Sequence, residues 1–141
     1  MREALRRVTQ VAIALALAGA SILVTEWAYP AGSLAIQLGR PYYSRAVGED
    51  AVFVSIDVTL KNVGAEQVRV DSEHFLLVDD AGHRYPTDPS MHLLRNHFNW
   101  LTMPAGYELH AVFVFKSAAG HRATRVIYIT PTGQFVWLRL L

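Results

Sequence analysis

Cysteine is absent from all 141 residues. That excludes a disulfide framework, a thiolate metal site, a thiol nucleophile and the lipid-bearing cysteine of a lipoprotein. Charge is also sparse, at 18% of residues against about 25% in an average soluble domain. The net charge of +1 makes no nucleic-acid footprint. No glycine-rich phosphate loop occurs, and Ser33, Ser44, Ser55, Ser72, Ser90 and Ser117 sit in no nucleophile elbow. Internal repeats and low-complexity tracts are missing too. What is abundant is apolar: 52% of residues are hydrophobic, too many for a disordered chain. The length suits one domain. The low charge then implies a membrane segment or an unusually apolar core.

The start of the chain supplies a membrane segment. Arg2, Arg6 and Arg7 precede seventeen uncharged residues, VTQVAIALALAGASILV, at 8–24. A basic flank before an apolar run keeps the flank in the cytoplasm and sends the rest across. Residues 25–29 extend the run toward the ~20 residues needed to span hydrocarbon, with Trp27 and Tyr29 at the interface. A retained anchor over 1–28 is expected. The alternative is a cleaved signal peptide, with Ala18-Gly19-Ala20 as the small-residue site before Ser21. In a helix, Ala12, Ala16, Gly19 and Ala20 make a small-residue stripe, which admits a second transmembrane helix. Tyr29-Pro30-Ala31-Gly32-Ser33 reads as a helix stop and short linker. A prepilin is disfavoured, because Arg7 meets Val8 with no glycine between them.

From residue 34 to 141 the pattern is β. Basic and acidic residues balance from Trp27 onward, so nothing steers the domain toward anionic lipid or nucleic acid. Leu34, Ile36 and Leu38 alternate. Val52, Val54, Ile56, Val58 and Leu60 point one way over 51–61, while Phe53, Ser55, Asp57, Thr59 and Lys61 point the other. Short strands follow around Val68 and Val70 and over 75–78. Asp79-Asp80-Ala81-Gly82 is a hairpin-type turn leading to Tyr85. Leu109, Ala111, Phe113 and Phe115 form one face of another strand, and Val112 and Val114 imply partial cover on its second face. Strands over 125–130 and 135–140 pair across Pro131-Thr132-Gly133. About seven strands with regular turn signals predict an all-β, immunoglobulin-like antiparallel sandwich.

Residues 86–103 interrupt the pattern as a long insertion, where function tends to concentrate. Asp88 can cap a short helix with Pro89 at its first position, and Met91, Leu94, Arg95 and Phe98 then share a face. The segment LLRNHFNWL is too apolar for a free loop. It packs over an open end of the sandwich or meets a partner through Leu93, Leu94, Phe98 and Trp100.

Candidates for chemistry are few. Met91, His92, His97, Met103 and His110 offer thioethers and imidazoles, a donor set suited to copper, if the loop folds back over the strand bearing His110. Otherwise they are loop histidines and core methionines. The acidic pairs Glu49-Asp50, Asp71/Glu73 and Asp79-Asp80 suit calcium or acid–base chemistry, but they stand at turns where such residues are common. No catalytic residue, cofactor or metal is assigned, and a structural zinc site is disfavoured further because no tight ligand pair exists.

The stretch VSIDVTLKNVGAEQVRVDSEHFLLVDDAGHRYPTD at 54–88 resembles the DUF4352 group. These are telokin-like, immunoglobulin-fold extracytoplasmic proteins related to the mycobacterial secreted antigen MPT63. The matching features are a strand ending in Lys61-Asn62-x-Gly64, then Phe75-x-Leu77-x-Asp79, Gly82-x-x-Tyr85, and Pro104-Ala105-Gly106 before ELHAVFVF. The resemblance implies a cell-surface or periplasmic binding module and carries over no functional residue. Together these readings describe a non-catalytic accessory module, single-pass at the membrane and associated with other membrane subunits. The alternatives are a secreted partner-binding sandwich and a periplasmic copper protein.

Overall fold

A computed structural model describes residues 33–93 and 98–140. The expected anchor, with Ala12, Ala16, Gly19 and Ala20, lies outside the described residues, as do Leu94 and His97. Among the described residues no helix is long and apolar enough to cross a membrane.

Among the described residues ten strands, all paired antiparallel, build the domain: β1 (Leu34–Leu38), β2 (Tyr42–Arg45), β3 (Ala51–Asn62), β4 (Val68–Asp71), β5 (Phe75–Asp79), β6 (Arg84–Pro86), β7 (Trp100–Met103), β8 (Glu108–Ala118), β9 (Ala123–Ile129) and β10 (Phe135–Arg139). One sheet is centred on β3. β8 pairs with one edge of it, while β1 and β2 share the other. The second sheet runs β10-β9-β5-β6, and β4 with β7 forms a ribbon. The count of seven is thus corrected to ten. The alternation that marks half-buried strands is absent from β2, whose four residues are all exposed. β7 lies inside the segment 86–103 that the sequence marks as an insertion.

β1 and β2 are one strand interrupted. Leu38 faces Val58 and Tyr42 faces Ser55, so four steps on one strand oppose three on β3. Gly39 absorbs the extra residue as a bulge, its amide donating to the Asp57 carbonyl at 2.8 Å.

The core lies between the two main sheets. Val54, Ile56, Val58 and Leu60 of β3 and Ala111, Phe113 and Phe115 of β8 are buried from one side; Phe75, Leu77, Val126, Tyr128 and Leu138 meet them from the other. Phe75 joins the layers, packing edge-on to Phe113 at 4.7 Å between centroids and against Tyr128 at 4.9 Å. Each such pair adds about 0.5–1.5 kcal/mol beyond the area it buries. On the second face of β8 Val114 is buried and Val112 half-buried, the partial cover that the sequence implies.

The described residues of the insertion pack against the sandwich. Residues Pro89–Leu93 form a 3₁₀ turn rather than an α-helix. Asp88 caps it as expected, with Oδ2 accepting from the Ser90 amide at 2.9 Å. Thr87 bridges to Phe115, and the Asp88 amide donates to the Val114 carbonyl at 2.7 Å, which ties the segment to β8.

Candidate functional sites: a polar cluster and an aromatic face

Two features stand out from the packed framework. The first is a polar cluster where the β5–β6 turn meets the β8–β9 turn. Asp79 ends β5, and its side chain is 1% exposed. Oδ1 accepts from the amides of Ala81 and His83, each at 2.9 Å, which closes the Asp79-Asp80-Ala81-Gly82 turn. Gly82 holds φ at +87°, a region that side chains rarely adopt. Oδ2 accepts from the Tyr85 hydroxyl at 2.8 Å and lies 3.2 Å from His83 Nδ1.

Burial by itself would raise the Asp79 pKa. The His83 amide, the Tyr85 hydroxyl, the Ala81 amide and the His83 ring outweigh it and bring the pKa from 3.8 down to about 2. The carboxylate is therefore ionised across the physiological range. The Tyr85 hydroxyl is pushed up from 10.0 by burial and by its bond to that anion.

The second turn is anchored to the first. The Asp80 amide donates to the Arg122 carbonyl at 2.9 Å, and Thr124 Oγ1 donates to the Val78 carbonyl at 3.3 Å. This places His121 Nδ1 2.9 Å from Asp80 Oδ1 and the His121 ring edge-on to His83, 5.8 Å between centroids. Contact with His121 is the main reason the Asp80 pKa is lowered. One donor atom from each of Asp79, His83 and His121 lies within 4.8 Å of the others.

The second feature is the outer face of the β10-β9-β5-β6 sheet. Phe135 and Trp137 project from it, 47% and 45% exposed. The Arg84 guanidinium lies over both rings, 5.3 Å from the Trp137 centroid and 5.8 Å from Phe135. Arg125 lies over Trp137 at 5.2 Å. These are cation–π distances. Ile127, opposite Trp137 in the pairing, is fully buried although it faces away from the core.

The residues expected from the sequence are dispersed. Met91 and Met103 are both 2% exposed and belong to the hydrophobic core. Their thioethers are thereby removed from the copper set, because burial among apolar side chains satisfies them better than a loop would. The side chain of His92 and the whole of His97 lie outside the described residues, and His110 stands exposed on β8, 3.0 Å from Thr59 Oγ1 and 3.2 Å from Glu108.

The expected loop contact set divides. Phe98 turns inward against Phe113, at 5.5 Å between centroids, so it closes the sandwich rather than facing a partner. Trp100 remains 55% exposed on β7, with the Arg69 guanidinium 4.1 Å above its ring. Leu93 ends the 3₁₀ turn. The histidine pair His83 and His121 was missed because only the pairing of β5 with β9 unites the two turns. The Asp79-x-x-x-His83 spacing across a hairpin turn was the available local signal.

These features define an antiparallel β-sandwich whose signature residues serve its turns and core. The chain belongs to the DUF4352 family, a domain of unknown function whose model matches residues 24–134. No curated protein matches it. Among solved structures it is similar to the ycdA protein of Bacillus subtilis, a candidate lipoprotein, at 16% identity and a TM-score of 0.60 over 77% of this chain. This chain spans only 36% of that one. The yjhA protein of Bacillus subtilis matches at 14% identity and 0.60 over 84% of this chain and 98% of its own. The secreted protein MPT63 of Mycobacterium tuberculosis matches at 15% and 0.57 over 75% and 82%. At these identities the likeness is one of fold.

Proposed function

We propose that the protein is a non-catalytic, extracytoplasmic interaction module, held at the outer face of a membrane by an anchor over residues 1–28 and working as a small subunit of a membrane complex. The observation that carries this reading is the aromatic face, where Trp137 and Phe135 stand exposed beneath Arg84 and Arg125. Tryptophan, tyrosine and arginine are enriched at interface hot spots, and here Arg84 and Arg125 lie within cation–π distance of the Trp137 ring. The basic flank and apolar run at the start of the chain support an extracytoplasmic domain. So do the relatives in fold, a candidate lipoprotein and a secreted protein. Without cysteine, attachment falls to the apolar segment itself.

Mild-detergent purification of the full-length chain from its native membrane, with the intact mass of the bait, tests the proposal. An uncleaved mass, with stoichiometric membrane proteins that are lost on Trp137→Ala, is the expected result. A mass beginning at Ser21 with nothing bound overturns it in favour of a secreted sandwich.

A further inference from the structure

We propose that Asp79, His83 and His121 form a binding site for a divalent transition-metal ion of the zinc class. Their donor atoms already lie within 4.8 Å of one another. Ligands around a tetrahedral zinc ion, at bond lengths of about 2.0–2.2 Å, stand roughly 3.3 Å apart. Closing the difference needs only rotation of two solvent-facing rings, since the His83 and His121 side chains are 60% and 38% exposed. The backbone need not move: bonds from Asp80 to Arg122 and from Thr124 to Val78 already lock the two turns together.

The carboxylate is the fixed member of the set. It is buried, and Tyr85 orients Oδ2 by a 2.8 Å hydrogen bond, the type of outer contact that aims a metal-binding group. Two imidazoles and one carboxylate leave a position for water, the pattern of an open zinc site. The donor chemistry disfavours calcium, which takes six to eight oxygens. Asp80, 2.9 Å from His121 Nδ1, adds a second negative charge beside the ion. A metal bound here ties the β5–β6 turn to the β8–β9 turn.

The test uses the full-length, untagged chain in detergent. Cobalt(II) chloride is titrated by visible absorption and zinc chloride by calorimetry. One equivalent is expected to bind, zinc displacing cobalt, with His83→Ala and His121→Ala each weakening affinity at least about tenfold. Both side chains are exposed, so these variants keep the fold, which circular dichroism verifies. His92→Ala/His97→Ala is expected to bind like the parent. The proposal is overturned by the absence of saturable binding below about 100 µM. It is equally overturned by affinity unchanged in His83→Ala and His121→Ala, or by loss confined to the His92/His97 variant, which assigns the ion to the insertion.

Discussion

The side-chain amide of Asn62 donates to the Met103 carbonyl across 2.9 Å, joining the end of β3 to the end of β7 although 41 residues separate them. Asn62 is fully buried. Its amide also reaches the Glu66 carbonyl at 2.8 Å, and its Oδ1 accepts from the Gly64 amide at 3.0 Å. Replacing it orphans buried backbone groups in two turns at once. Asn62→Ala is expected to cost about 2–4 kcal/mol, measured by denaturant unfolding. A loss below about 0.5 kcal/mol would show that water replaces those bonds freely.

Gly64 follows from the same junction. A Cβ there would collide with the Ser33 Cβ, where the Ser33 carbonyl takes the Val63 amide at 2.7 Å. Gly64→Ala forces the lead into β1 away from β3. The expected destabilisation is about 1–3 kcal/mol. Hydrogen exchange should locate it, with faster exchange at Val63 and along β1 and little change in β9 and β10.

These two positions explain why the family was legible before the fold was complete. Asn62 and Gly64 staple a turn, Phe75 and Leu77 are core, and Asp79, Gly82 and Tyr85 build one hairpin. Each serves local geometry, so each leaves a local sequence trace. The inward faces of β1, β3 and β8 were legible for the same reason, since alternation reports burial directly. β2 has no buried face, and β7 is held by pairing with β4, a contact that no local pattern encodes. The polar cluster was hidden in the same way: His121 reaches His83 only through non-local strand pairing.

Asp79 predicts the acid limit of stability. Its pKa falls from 3.8 to about 2 on folding, so its stabilisation is fully present above 3.8 and is lost as pH falls toward 2. Tyr85→Phe removes one of the donors that hold it down. The folded pKa then rises, and the acid-unfolding midpoint moves to higher pH. At neutral pH the variant is expected to cost about 1–2 kcal/mol, the loss of a hydrogen bond to a charged acceptor. Acid titrations followed by circular dichroism in chelator separate this from any effect of metal. An unchanged midpoint would mean that the two backbone amides suffice.

Phe98 and Trp100 lie two residues apart in the insertion and make opposite predictions. Phe98 packs on Phe113 and is half-buried, so Phe98→Ala opens the end of the sandwich and is expected to cost about 2–3 kcal/mol. Trp100 is exposed beneath Arg69, and Trp100→Ala removes little more than that stacking, about 0.5–1 kcal/mol. Thermal unfolding of the two variants side by side measures the difference. If Trp100→Ala proved the more damaging, the insertion would be held by its outer surface, and Phe98 would be free to face a partner, the second of the two readings that the sequence pattern leaves open.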